Sequence, residues 1–210
     1  METIQESDKQ VSGLEAYVER GDFGAYYGTQ YGNPLNPNWP WGKPILDDFL
    51  YPFLGPDKVV MEIGSGGGRW SQFIMPRCKR SILVDGTKAS EAAIRGAIGV
   101  PEDADVKFYV SPNGAVSRVK SKTVDFVFSF DTFVHFHADL FYRYLSTIAR
   151  VLKKGGVLCL YYAWDASMAK SFFRYYDPDE MCARLKGLGL EQFDEDLIVL
   201  DSRFIKARKV

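Results

Sequence analysis

The stretch Val59-Val60-Met61-Glu62-Ile63-Gly64-Ser65-Gly66-Gly67-Gly68-Arg69-Trp70 constrains the fold more than any other part of this chain. A short, mostly apolar run reads as a buried strand, and here it enters four glycines within five positions, where the backbone must turn sharply. A strand leading through such a turn into a helix opens a βαβ unit. The pattern repeats downstream. Residues 59–63, 81–84, 106–110, 124–129 and 157–162 predict five buried strands, and residues 68–75, 88–98 and 139–152 predict helices between them. This alternation describes an α/β protein built on an open parallel sheet with helices on both faces.

The last of these helices places Leu140, Tyr144, Leu145, Ile148 and Leu152 at helical spacing. Lys153-Lys154-Gly155-Gly156 should end it, the cations complementing the helix C-terminus and glycine releasing the chain into the next strand. After Asp177-Pro178 a helix over 179–186 stops at Gly187, and two strand candidates, 190–200 and 202–208, close the chain. Their connection is too short for a parallel crossover, so they must pair antiparallel. Before residue 46 there is no strand pattern. Residues 13–20 suit a helix, and residues 23–41 set Phe23, Tyr26, Tyr27, Tyr31, Trp39 and Trp41 among glycines, prolines and asparagines, the composition of an ordered loop with aromatic anchors. A single domain is expected over 1–210, with residues 1–45 as an aromatic cover on a core of 46–210.

Composition narrows the function. Twenty-six Lys and Arg stand against 27 Asp and Glu, for a net charge of -1, and no basic block suits a dedicated nucleic-acid binder. The longest apolar runs fall short of a membrane span, and the polar, acidic start does not resemble a signal peptide, so a cytoplasmic protein is expected. Cys78, Cys159 and Cys182 are odd in number and far apart, which encodes neither a disulfide framework nor a zinc site. No metal is expected: His135-Phe136-His137 has neither a third histidine nor a nearby cysteine, leaving only Asp131 or Asp139 to join it.

The glycine turn implies a nucleotide-like ligand, because a backbone that approaches a ligand closely has no room for a Cβ. Asp85 closes the second predicted strand 21 residues after Gly64, the spacing at which a carboxylate reaches ribose hydroxyls. A dinucleotide fingerprint starting at Gly64 needs glycine where Arg69 stands, and a phosphate-binding loop needs Gly-Lys-Ser/Thr, which is absent. What remains is a phosphate-free adenosyl ligand. Glu62, two residues before the first glycine, suits one that is positively charged, as S-adenosylmethionine is at its sulfonium and amino groups.

Glu62-Ile63-Gly64-Ser65-Gly66-Gly67-Gly68 resembles motif I of class I S-adenosylmethionine-dependent methyltransferases, and Asp85 falls on that family's ribose-binding acid. Gly68-Arg69-Trp70 together with Val124-Asp125-Phe126-Val127-Phe128-Ser129-Phe130-Asp131-Thr132-Phe133-Val134-His135 resembles a subgroup that includes sugar and polysaccharide O-methyltransferases. The likeness spans roughly residues 41–163. It implies a Rossmann-like, mostly parallel seven-stranded sheet of order 3-2-1-4-5-7-6 with strand 7 antiparallel. It also implies Gly64 and Gly66 against the methionine half, Asp85 on the ribose and the segment after strand three on the adenine. Ser65, Gly86, Gly114 and Ser129 complete that implied cofactor set. The chain departs at Ser111-Pro112-Asn113-Gly114, where the family commonly has Asp-Gly; Asn113 would accept from the adenine amino group without a charge.

His135 matches the family's Asp-x-x-x-His pattern and is the candidate base, worth ~10² to 10⁴ in rate, with Asp131 orienting it or holding the acceptor. The alternative is that His135 packs the following helix and transfer proceeds by proximity. Arg69 and Trp70 should tie the glycine loop to the N-terminal segment, with Arg69 also placed to grip an anionic acceptor. The aromatic segment reads equally as a cover for the site or as a brace against the sheet. Tyr161, Tyr162, Trp164 and Asp165 offer an acceptor wall, Tyr161 fitting core packing better. The activity expected is methyl transfer to a hydroxyl of a small molecule or sugar, with N-methylation or a non-catalytic binding module as alternatives.

Overall fold

A computed structural model describes residues 33–165, 173–194, 197–199 and 202–210. The predicted helix over 13–20 and Phe23, Tyr26, Tyr27 and Tyr31 lie outside them. A helical segment, Gly42–Pro44, Ile45–Leu50 and Tyr51–Phe53, leads into β1 (Gly55–Ile63), α1 (Ser71–Ile74), β2 (Cys78–Asp85), α2 (Ala89–Ala97), β3 (Val106–Val110) and β4 (Val124–Ser129). Then follow α3 (Ala138–Val151), β5 (Leu152–Ala163), α4 (Pro178–Gly187), β6 (Leu190–Gln192), β7 (Leu197–Val199) and β8 (Ser202–Lys209). The sheet runs β3-β2-β1-β4-β5-β8-β6, with β7 also on β8. The strands β1 to β5 are parallel, and β8 lies antiparallel on β5 from Val157↔Arg208 to Ala163↔Ser202. The expected order is therefore present, with one additional short strand.

Period-two alternation divides the interior into two layers. Met61, Ile63, Ile82 and Val84 face α3 and α4 through Phe141, Tyr144, Leu145, Ile148, Met181 and Leu185. Val60, Phe126 and Phe128 face the segment before β1 and α1, meeting Ile45, Leu46, Phe49 and Phe73. Phe204 of β8 stacks on Phe49 at 4.3 Å and 9° between ring planes, and meets Phe128 edge-on at 5.6 Å. Burial of these rings is the largest contribution holding the early helical segment to the sheet, at roughly 1.5–3 kcal/mol per large apolar side chain.

Four expectations change. The helix predicted over 68–75 begins only at Ser71, because Gly64, Gly66 and Gly68 all have positive φ, and it gives way to 3-10 geometry at Met75–Arg77, where Pro76 cannot continue it. Lys153 does not cap α3. Its Nζ donates to Asp125 at 2.7 and 2.8 Å, and strand pairing already starts at Leu152↔Val124. The strand β3 is an edge strand and only half-buried, with Val110 48% exposed. The strand expected over 190–200 is two pieces, β6 and β7, pairing with opposite halves of β8; between them Asp194 has φ 66 and accepts from Lys206 Nζ at 2.6 Å.

Candidate active site

The carboxyl ends of β1, β2 and β4 bring Glu62, Asp85 and the His135 turn to one edge of the sheet, the place where open α/β folds bind ligands. Glu62 is 2% exposed. It points to the α1 face, where Ser71 Oγ donates to its Oε2 at 2.5 Å. Burial pushes its carboxyl up to about 8, against a smaller lowering by the Ser71 bond, while Asp85 nearby adds further upward pressure and Arg69 a lowering one. Asp85 is half-buried at the β2 terminus; its Oδ2 accepts from Gly66 N at 2.8 Å and its Oδ1 from Thr87 N at 3.2 Å. Desolvation raises this acid too, opposed by those backbone donors.

The glycine turn is braced from below. Ser90 Oγ on α2 donates to Gly66 O at 2.7 Å and lies 3.0 Å from Ser65 Oγ, so the Ser65 hydroxyl faces the helix. Gly64 has φ 77, and a Cβ there would fall 1.9 Å from Thr132 Oγ1, so the close approach of the Thr132 side chain just past β4 by itself demands glycine. Gly86 is open, with nothing within 4 Å of a Cβ position. Ser129 is fully buried and donates to Ile63 O at 2.8 Å, locking β4 to β1 directly beneath the turn.

Beyond β3, Asn113 is exposed and its Oδ1 accepts from Ala115 N at 3.1 Å, so the oxygen expected on adenine closes a local turn. Gly114, at φ 78, lies against α3: a Cβ would meet Arg143 Cβ at 3.1 Å, and its carbonyl accepts from Thr147 Oγ1 at 2.7 Å. Both residues thus serve the loop that frames this side of the site.

After β4 the chain makes a tight turn, with exposed Asp131 at φ 56 and a 3-10 turn over Phe133–His135 closed by His135 N to Thr132 O at 3.1 Å. His135 is half-buried, its ring edge-on to Phe173 at 5.4 Å. The segment after β5 straps this turn: Arg174 N donates to Val134 O at 2.7 Å, and Tyr176 OH donates to Phe136 O at 2.7 Å. Trp39 packs on Trp70 at 5.9 Å and Phe130 at 6.1 Å, and the Arg69 guanidinium lies 5.9 Å from its ring centre. Trp39 is 7% exposed and acts as a brace between the loop and the sheet, as one of the two readings expected. Tyr161 and Tyr162 form no acceptor wall. Both are buried, Tyr161 stacked on Phe130 at 4.4 Å and Tyr162 in the opposite layer, because successive strand residues point to opposite faces. Trp164 and Asp165, just past the strand, are half-buried.

Sequence reasoning missed Ser71, Ser90, Thr132 and Phe173. Ser71 and Ser90 each sit in the first turn of a helix facing the glycines, a position that could have flagged them; Phe173 carries no local signal. Among the described residues, no group of three or more His, Cys, Asp and Glu could hold a metal ion, and no helix is long and apolar enough to cross a membrane.

Residues 61–160 match the family model described as a methyltransferase domain. The fold is that of class I methyltransferases. This class I fold is shared with the DhpI–SAH complex at a TM-score of 0.68 and 19% identity, covering 97% of this chain and 96% of that one. It is also shared with the Haloferax volcanii complex between the Trm112 methyltransferase activator and a methyltransferase, at TM-score 0.71, 16% identity and coverages of 93% and 97%. A third such structure is the Burkholderia thailandensis 1,6-didemethyltoxoflavin-N1-methyltransferase with bound 1,6-didemethyltoxoflavin and S-adenosylhomocysteine, at 0.59, 19%, 93% and 89%. No curated protein matches the sequence significantly.

The donor set at this edge of the sheet fits a cationic adenosyl group. Two carboxyl groups, Glu62 and Asp85, stand at the ends of adjacent strands, and as carboxylates they favour a positively charged group and oppose a pyrophosphate.

Proposed function

We propose that the chain is an S-adenosylmethionine-dependent methyltransferase acting in the cytoplasm on a hydroxyl of a small molecule or sugar. The observation that carries this reading is the placement of Glu62 and Asp85 at the ends of adjacent strands beside the glycine turn, inside the segment that matches the methyltransferase domain model. Glu62, Gly64, Gly66, Asp85 and Gly86 would hold the donor, with Ser65, Asn113, Gly114 and Ser129 shaping the surrounding loops. When bound, the donor supplies a methyl group already activated on a sulfonium.

The chain's own residues then have three tasks. Asp85 accepts from ribose hydroxyls in exchange for part of its present bonding to Gly66 and Thr87. Glu62, buried beside Ser71, gives up its proton when positive charge arrives over the turn and fixes the donor electrostatically. His135, held by the strap through Val134 and Phe173, takes the acceptor hydroxyl's proton at a ring nitrogen, with Asp131 as the neighbouring polar group on the same turn. A hydroxyl acceptor needs such a base more than an amine does, which supports O-methylation.

N-methylation is the second reading, favoured by the Burkholderia enzyme of the same fold. Incubation with labelled S-adenosylmethionine and a panel of sugars, phenols and amines tests both. Label on a hydroxyl compound supports the proposal and label on amines alone replaces it with the second reading; donor binding without transfer to any acceptor would leave a binding module.

A further inference from the structure

Between β1, β2 and β3 and the loop 111–123 lies a cavity of ≈ 290 Å³. Val59 of β1, Ile82 of β2 and Tyr109 of β3 line it together with Val119, which gives an apolar floor. Four cations also line it: Arg80, Lys107, Arg118 and Lys120. Asp105 answers two of them, accepting from Arg80 Nε at 2.6 Å and standing 3.3 Å from Lys107 Nζ. Arg118 and Lys120 are exposed and make no ion pair among the described residues. The lining thus carries four cationic and no acidic side chains; of the nearby acids Asp105 answers Arg80 and Lys107, while Asp125, which accepts from Val59 N at 2.9 Å, is paired with Lys153 outside the lining.

This arrangement is built into the fold. The loop 111–123 that carries Arg118 and Lys120 is fastened to α3: the Arg150 guanidinium donates to Val119 O at 2.8 Å and to Val116 O at 2.9 Å. Tyr144 OH donates to Ser111 O, and Val119 itself is 4% exposed. The backbone bearing the two free cations is thus ordered before any ligand arrives, which lowers the cost of binding. The cavity runs from Val59 and Arg80, each five residues before the donor-edge residues Gly64 and Asp85 on their strands, or about 16 Å at 3.3 Å per residue, to Tyr109, which is in register with Val84 beside Asp85; its cationic end at Arg80 and Lys107 lies away from the donor edge.

We propose that this cavity is a second binding site, for an organic phosphate whose apolar body rests on the Tyr109 and Val119 floor and whose phosphate is held by Arg118, Lys120 and Arg80. Guanidinium groups pair with phosphate oxygens in a two-pronged geometry, and ammonium groups add point charge. The apolar floor distinguishes a phosphate ester from inorganic phosphate, which has nothing to place there. The volume, near the lower limit of small-molecule sites of roughly 300–1,000 Å³, suits a ligand with a single ring. The proposal does not rest on the methyl-transfer reading.

Calorimetry on the intact chain with phenyl phosphate tests it. Saturable one-to-one binding is expected, weakened about tenfold or more when inorganic phosphate replaces the ester, and by a similar factor in the double variant Arg118→Ala, Lys120→Ala. The control pair Lys154→Ala, Lys186→Ala, on exposed residues elsewhere, should bind like the parent. Equal binding of inorganic phosphate, an unaffected Arg118/Lys120 double variant, an equal loss in the control pair, or displacement of phenyl phosphate by S-adenosylhomocysteine would each overturn the assignment.

Discussion

Glu62→Gln should stabilise the ligand-free protein at neutral and alkaline pH, and by an amount that grows with pH. In the unfolded chain this carboxyl titrates near 4.5, and in the folded chain at about 8. Between those values the unfolded state has lost the proton while the folded state retains it, so unfolding releases a proton and stability falls as pH rises, by up to 1.36 kcal/mol per pH unit. The penalty is small near pH 5, is nearly complete by pH 8, and totals about 5 kcal/mol over the full interval. Glutamine has no proton to lose, and its amide oxygen can still accept from Ser71 Oγ. The stability difference between variant and parent should therefore widen by about 3 to 4 kcal/mol from pH 5 to pH 8. Asp85 shifts in the same direction and is present in both proteins, so the difference reports Glu62 together with its repulsion by Asp85. Urea denaturation at several pH values without donor measures it. Parallel stability profiles, within about 1 kcal/mol, would show that Glu62 is already ionised in the folded protein. The functional counterpart is proton release on donor binding at pH 7, read by calorimetry in buffers of different ionisation heat and absent in the glutamine variant.

Asp85→Ala should weaken S-adenosylhomocysteine binding by removing one or two charge-assisted bonds, ~1.5 to 3 kcal/mol each; unchanged affinity in a titration would exclude the ribose role. His135→Ala should lower turnover by ~10² to 10⁴ while leaving donor affinity nearly intact, and a variant turning over like the parent would leave His135 a packing residue. Gly64→Ala combines a positive φ with a Cβ 1.9 Å from Thr132 Oγ1, so a loss of at least about 1–2 kcal/mol is expected in thermal or urea unfolding. Thr132→Gly in the same chain should recover the steric part only, and full additivity of the two changes would contradict the contact.

The β-branched runs, the four clustered glycines and the separation of Gly64 from Asp85 are local properties of the chain, and they were enough to read the parallel sheet and the acids at its carboxyl edge; the strand order came from the family resemblance of these motifs. They were enough because strand period, turn chemistry and connection length act over a few residues, and a parallel sheet leaves few ways to join such elements. What needed the folded molecule is how long-range partners use each group. Only packing puts Thr132 against Gly64, pairs Lys153 with Asp125 and sets Gly114 against α3, with Tyr161 and Tyr162 meeting different partners in opposite layers. Such contacts join residues up to 68 positions apart, as Gly64 and Thr132 are, and no periodicity along the chain records them. The cationic cavity has the same origin: Arg80, Lys107, Arg118 and Lys120 are scattered through the sequence and become a cluster only where three strands and one loop meet.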